Sequence, residues 1–161
     1  MEIAIISDTH DHVEHIKRFV ENIKERDITT IIHAGDYCSP FTIPLFAGLK
    51  VIGVFGNNDG DHYRLVSKFA DIQGEIHNEF YEGIIDGKNL ALYHGTQSSI
   101  TEALILCGKY DLVISGHSHN VVHEKNGKTV SINPGSLHGF DDKPSYAVYD
   151  TKSGKIELLN L

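Results

Sequence analysis

Five short apolar runs, each cut off by a polar segment, set the limits on how this chain can fold. Glu2–Ser7, Thr30–His33, Lys50–Phe55, Leu90–Tyr93 and Leu112–Ser115 are four to six residues long and rich in Ile, Val and Leu. They are too short for helices and too uniformly apolar for strands with one wet face, so they read as strands buried on both sides. Between them, Val13, Ile16, Val20 and Ile23 recur at spacings of three, four and three. That period predicts an amphipathic helix ending near Arg26, and Asp11 followed by Glu14 has the form of a capping box. Further helices are predicted over Phe41–Leu49, Arg64–Phe69 and Ser99–Cys107. Such alternation of strand and helix predicts an α/β fold.

From Asn120 the texture becomes β-rich. Val121–Glu124, Thr129–Ile132, Ser145–Asp150 and Lys155–Leu159 are separated by Asn-Gly, Pro-Gly and Ser-Gly punctuation, the chemistry of tight turns. The expected architecture is two packed mixed β-sheets flanked by helices, with the division between sheets near residue 120. A chain of 161 residues suffices for one core and is short for two, so a single domain over 1–161 is expected.

Charge and composition narrow the function. With 14 Lys+Arg against 22 Asp+Glu, the net charge of −8 opposes broad capture of nucleic acid, which depends on phosphate neutralisation. No apolar stretch approaches the roughly 20 residues that cross a bilayer, and no basic, cleavable leader opens the sequence, so a cytoplasmic location is the default expectation. Cys38 and Cys107 are expected to be reduced thiols that serve packing. The 11 histidines are the oddity, because imidazole is the commonest nitrogen ligand for transition metals.

Many of those histidines fall at predicted strand ends, where α/β proteins gather their sites. The ends read Ser7-Asp8-Thr9-His10, His33-Ala34-Gly35-Asp36, Gly56-Asn57-Asn58-Asp59, His94-Gly95 and Gly116-His117-Ser118-His119. In extended backbone, residues i and i+2 point the same way, so Asp8 with His10, and His117 with His119, would each form a two-ligand pincer. Gly35, Gly56, Gly95 and Gly116 allow tight turns beside them. Each motif alone is weak, since an isolated histidine is more often a core or surface residue. Five in succession, with oxygen and nitrogen donors throughout, point to a metal centre.

The ordered series Asp8-x-His10, Gly35-Asp36, Gly56-Asn57-Asn58-Asp59, His94 and Gly116-His117-Ser118-His119 resembles the calcineurin-like metallophosphoesterase superfamily over residues 7–119. The opening Ile6-Ser7-Asp8-Thr9-His10 and the later Ile132-Asn133-Pro134-Gly135-Ser136 resemble its small single-domain prokaryotic phosphodiesterase branch (YfcE-like). The resemblance implies a four-layer sandwich and two divalent metal ions per chain. Asp8, His10, Asp36 and His119 would hold one ion; Asp36, Asn57, His94 and His117 would hold the other, with Asp36 bridging. No thiolate is among these ligands, so Mn, Ni, Fe, Co and Zn all suit the set, Mn being favoured. The implied activity is hydrolysis of phosphate diesters by a hydroxide bridging the two ions, with a small phosphate ester as substrate.

Asn58 departs from the superfamily, where histidine commonly follows the ligand asparagine. A neutral amide cannot protonate a leaving group, so Asn58 is expected to hydrogen-bond a phosphate oxygen, with Asp59 fixing its orientation. His12 and Ser136 are weaker substrate-contact candidates. His33 reads as a hydrogen-bonded core residue, and His62 as a solvated one, while His15, His77, His123 and His138 have no legible partner. The alternatives are a phosphomonoesterase or nuclease using the same metals, or a non-catalytic interaction scaffold like that of a trafficking branch of this fold. Self-association as a homo-oligomer is left open.

Overall fold

A computed structural model of the protein describes residues 1–140 and 143–161. Its elements run β1 (Glu2–Ile6), α1 (Val13–Glu25), β2 (Thr30–His33), a 3-10 helix (Pro40–Phe46), β3 (Lys50–Val54), α2 (His62–Asp71), β4 (Glu75–His77), β5 (Phe80–Ile85), β6 (Lys88–Tyr93), α3 (Ser98–Leu106), β7 (Leu112–Ile114), β8 (Val121–Asn126), β9 (Thr129–Pro134), β10 (Ser145–Asp150) and β11 (Ile156–Asn160). They form a six-stranded sheet in the order β11-β10-β1-β2-β3-β4 and a five-stranded sheet in the order β5-β6-β7-β9-β8. Both sheets are mixed: β1, β2, β3 and β4 are parallel while β10 runs antiparallel to β1, and β6, β7 and β9 are parallel between antiparallel edges.

Strand alternation explains the layering. Ile3, Ile5, Ile32, Ile52 and Val54 face Leu90, Leu92, Leu112, Ile114 and Ile132 of the second sheet. The intervening Ala4, Ile6, Ile31 and Val51 face outward, against Ile16, Phe19, Val20 and Ile23 of α1 and Leu65 and Phe69 of α2. Full burial of Ile16, Phe19 and Ile23, worth about 1.5–3 kcal/mol each, fixes α1 on the sheet and so fixes the loop that leads into it. On the far side α3 covers a small cluster of Ala91, Val113 and Tyr110. The layers are therefore helix, sheet, sheet, helix.

Four details differ from the sequence reading. The sheets divide between β4 and β5 rather than near residue 120, because β8 and β9 complete the second sheet whereas β10 and β11 return to the first. Ser145–Tyr149 is buried throughout, which demands an interior position beside β1. The helix expected over Phe41–Leu49 is a 3-10 segment containing Pro44, which lacks the N–H an α-helix needs. Finally, β4 and β5 were not expected: β4 is only three residues long, and β5 alternates exposed and half-buried positions. The α1 cap also differs, since His12, not Asp11, accepts from the His15 N–H.

Candidate metal centre

β1, β2, β3, β6 and β7 deliver the candidate ligands to one edge of the sandwich, but not in extended backbone. Asp8, His10, Asp36, His117 and His119 have φ of 54°, 38°, 61°, 64° and 58°, so the pincers arise from left-handed turns beyond the strand ends. Asp and His tolerate this region better than most side chains. The loops are laced together: Asp8 N–H donates to Gly35 O at 3.0 Å, His10 N–H to Asp36 O at 3.1 Å, and Gly116 N–H to His94 O at 2.8 Å. Close approach requires glycine at two points. A Cβ on Gly56 would press into the Asp36 carboxylate, and one on Gly116 would meet Ser7 Oγ and Asp8 Oδ2.

Two donor groups share Asp8: Asp8, His10 and His119 form one, and Asp8, Asp36 and His94 the other. Asp36 Oδ2 lies 3.3 Å from His10 Nε2 and 3.4 Å from His94 Nε2, and Asp8 Oδ1 lies 3.2 Å from His119 Nε2. Asn57 Oδ1 joins the set at 3.0 Å from His94 Nε2. The His117 ring stands edge-on to His94 at 5.2 Å, and its backbone N–H donates to Asp8 Oδ2. His94 Nδ1 is 2.7 Å from the Ala34 carbonyl, so that nitrogen carries a proton and Nε2 is the one that could turn a lone pair to a cation.

The electrostatics suit a cation. Burial is the largest single influence on Asp8 and Asp36 and penalises their charged forms, yet His10 and Ser7 with His94 at Asp8, and His10 and His94 with the Asn58 N–H at Asp36, together outweigh it and hold both carboxyls below the usual range. Conversely, burial opposes a charged His10, but Asp36 and Asp8 push its pKa up to about 9. His94 is raised in the same way. His10 Nε2 is nevertheless buried without a directed hydrogen bond, although it faces both carboxylates. Two buried carboxylates and an unpartnered imidazole nitrogen aimed between them fit a divalent cation, which supplies the charge that desolvation otherwise makes costly.

A supporting set holds these donors. The Asp59 carboxylate accepts backbone N–H bonds from Gly56 at 2.7 Å, Cys38 at 2.8 Å and Asp36 at 2.9 Å. It is therefore a clamp between two loops and makes no bond to Asn58, contrary to the orienting role expected. Asn58 instead donates its backbone N–H and Nδ2 to the two oxygens of Asp36. Ser136 is buried; its Oγ donates to Asp8 O and accepts from Gly139 N, so it secures the loop rather than facing substrate. His12 Nδ1 is occupied by the α1 cap, and its other ring nitrogen makes no hydrogen bond among the described residues. His33 is fully buried, accepting at Nδ1 from Gly35 N–H and donating at Nε2 to Thr9 Oγ1; burial pushes its pKa down to about 3.

Other contributions were not legible in the sequence. Asn133 Nδ2 donates to Gly116 O and Ser118 Oγ, holding the His117 turn. His15 Nδ1 donates to the carbonyls of Leu137 and His138, and the Phe140 ring stacks on His119 at 4.5 Å. Cys38, expected to serve packing, places Sγ 3.2 Å from His10 Nδ1, and burial raises its pKa to about 12, so it stays a thiol. These residues stand outside the five strand-end motifs; only the proximity of Asn133-Pro134-Gly135-Ser136 to the family pattern hinted at one of them.

Comparison with known proteins agrees with this geometry. The model of the calcineurin-like phosphoesterase superfamily domain matches residues 1–154. Phosphodiesterase MJ0936 of Methanocaldococcus jannaschii is 37% identical over 156 residues, covering 94% of each protein. The solved structure of an archaeal phosphodiesterase matches with a TM-score of 0.95 and 35% identity over the whole of both chains. The E. coli phosphoesterase YfcE, 18% identical with a TM-score of 0.71 over 99% of both chains, shares the fold. This chain belongs to the calcineurin-like phosphoesterase superfamily.

Proposed function

We propose that this chain, as a member of that superfamily, is a metal-dependent phosphodiesterase that acts as one domain over residues 1–161. The observation that carries the reading is the Asp36 carboxylate, buried between His10 on one side and His94 on the other. That is where a bridging ligand must stand. We assign Asp8, His10, Asp36 and His119 to one divalent ion, and Asp36, Asn57, His94 and His117 to a second, with Mn²⁺ the favoured occupant. The chemistry such ions supply when bound is activation of water and neutralisation of phosphate charge.

The chain's own groups do the rest. Asp59, through its three backbone contacts, holds Asp36 in place. The Asn58 amide, now on Asp36 Oδ2, turns to donate to a phosphate oxygen. It cannot protonate the departing alcohol, so aryl esters leave faster than alkyl esters. The other ring nitrogen of His12 is a weaker candidate for contact with substrate. Among the described residues no helix is long and apolar enough to cross a membrane, and a small cytoplasmic phosphate ester is the proposed substrate.

The test strips metals, restores Mn²⁺ or Ni²⁺, and compares bis-p-nitrophenyl phosphate with p-nitrophenyl phosphate, using Asp36→Ala as control. Diester cleavage that requires both metal and Asp36 is expected. A marked preference for the monoester would replace the reading with a phosphomonoesterase, and metal binding without hydrolysis of either would replace it with a scaffold.

A further inference from the structure

A cleft of about 200 Å³ opens directly beside Asn57 and His94, between the end of β3 and the start of α3, with Phe55, Tyr93, Glu79 and Gln97 among its walls. Both walls are tied down. Phe55 N–H donates to Asn78 O at 3.0 Å, which fixes the turn carrying Glu79, and Gln97 N–H donates to Tyr93 Oη at 3.0 Å. The Phe55 ring is backed by His62, stacked at 3.9 Å. A shallower groove of about 340 Å³ continues past Phe55 and Glu79 to His62 and Phe80.

The cleft abuts the centre directly, because Asn57 and His94, two of the assigned ligands, form its inner wall, and a phosphate seated there would have one ester arm within its reach. The chemistry of the lining then decides what that arm can be. Glu79 is its only formally charged side chain, no lysine or arginine lines either hollow, and among the described residues Glu79 makes no ion pair or side-chain hydrogen bond. The side chains of Thr96 and Gln97 are likewise exposed and, among the described residues, make no hydrogen bond. The lining therefore offers hydrogen-bond donors and acceptors to hydroxyl groups, an aromatic floor to carbon, and like-charge repulsion to a second anion.

We propose that this cleft is the subsite for one ester arm and that it selects an uncharged, hydroxyl-bearing arm against one carrying a further carboxylate or phosphate, with Glu79 as the excluding residue. The assignment rests on the phosphoesterase reading and deepens it to a substrate class. Because Glu79 is exposed, the dielectric between it and a second charge about 5 Å away is close to that of water, which leaves a discrimination of roughly three- to tenfold, and the effect weakens with salt.

The experiment measures calorimetric affinities of the Mn²⁺-loaded protein for methyl phosphate, glycerol 3-phosphate and 3-phosphoglycerate, the last two alike in size but differing in charge. Glycerol 3-phosphate is expected to bind several-fold more tightly than methyl phosphate, and 3-phosphoglycerate more weakly than glycerol 3-phosphate by about three- to tenfold. Glu79→Gln should remove most of that gap, Glu79→Lys should invert it, and 0.5 M salt should narrow it in the unmodified protein, roughly as screening requires. An unchanged ratio in Glu79→Gln, or glycerol 3-phosphate no better than methyl phosphate, overturns the subsite. Failure of all three esters to bind while bis-p-nitrophenyl phosphate is still cleaved overturns the subsite alone; failure to bind them together with no cleavage of that diester overturns the phosphoesterase reading as well.

Discussion

Replacing Asp59 by Asn tests whether a buried clamp, rather than the ligands alone, builds the centre. In the folded chain one Asp59 oxygen accepts from Asp36 and Gly56 N–H and the other from Cys38 N–H. An asparagine can keep its carbonyl oxygen on the first pair, but its amide then confronts the Cys38 N–H, donor against donor. One hydrogen bond to a charged acceptor is lost, at about 1.5–3 kcal/mol, and a buried donor is left unpaired. Part of this is returned, because burial raises the Asp59 carboxyl against the pull of its Gly56 and Cys38 N–H partners, so removing the charge relieves a desolvation cost. The net expectation is a loss of about 1–3 kcal/mol, a fall of roughly 3–10 °C in Tm for a domain of this size. The assay is urea and thermal unfolding of metal-free protein, followed by Mn²⁺ titration, where misplacing Asp36 should weaken affinity about 10- to 100-fold. Asp59→Ala leaves all three N–H groups unpaired and should be worse in both. Unfolding midpoints within 0.5 kcal/mol of the parent, or Ala no worse than Asn, would refute the clamp.

Three other variants probe neighbouring steps. Gly56→Ala brings a Cβ within 2.6 Å of Asp36 N; it should cost about 1–3 kcal/mol and abolish tight Mn²⁺ binding in the same titration, while Gly60→Ala, with open space around its Cβ, should change neither. Asn58→His restores a proton donor beside Asp36 and should raise kcat/KM about 10- to 100-fold for alkyl leaving groups and much less for p-nitrophenolate; a plot of rate against leaving-group pKa that keeps its slope would remove the role assigned to Asn58. His33, held neutral with its pKa near 3 against about 6.5 unfolded, gives stability that is complete above pH 6.5 and lost as pH falls toward 3. The slope is about 1.4 kcal/mol per pH unit, or about 2 kcal/mol between pH 6.5 and 5, so urea midpoints of the parent should drop faster with acid than those of His33→Gln, and parallel curves would contradict this.

The strands most readily seen in the sequence are those whose burial leaves no choice. β1, β2, β3 and β7 are apolar on consecutive residues because one face meets helices and the other meets a sheet. Where burial is partial the signal fades: Phe80–Ile85 offers only weak alternation, and Glu75–His77 is three residues at a sheet edge. The partition of the last four strands between the sheets was not legible either, because it depends on long-range pairing, such as Ile5 opposite Ala147, that no local pattern encodes. Asp11 shows a related limit. It has the residue type of an N-cap, but its carboxylate is drawn across the site to Ser39 N–H and Oγ at 2.8 and 2.6 Å, and His12 caps in its place.

The candidate ligands were legible as chemistry and misread as geometry, and the reason bears on how such a site holds together. A strand would point Asp8 and His10 the same way at no conformational cost. The chain instead puts both, with Asp36, His117 and His119, in left-handed backbone, where a non-glycine residue sacrifices on the order of 1 kcal/mol. Glycine would avoid that cost but offers no donor atom. The strain is therefore held by what surrounds it: the lacing of Asp8 to Gly35 and His10 to Asp36, the Asp59 clamp, and the loop in which Ser136 and His138 both bond Asp8 O. Each of these partners binds backbone, not a ligand atom. It follows that the centre's shape is set before any cation arrives, and that residues outside the candidate ligand set, Asp59 and Ser136 foremost, should control metal affinity nearly as strongly as the candidate ligands they position.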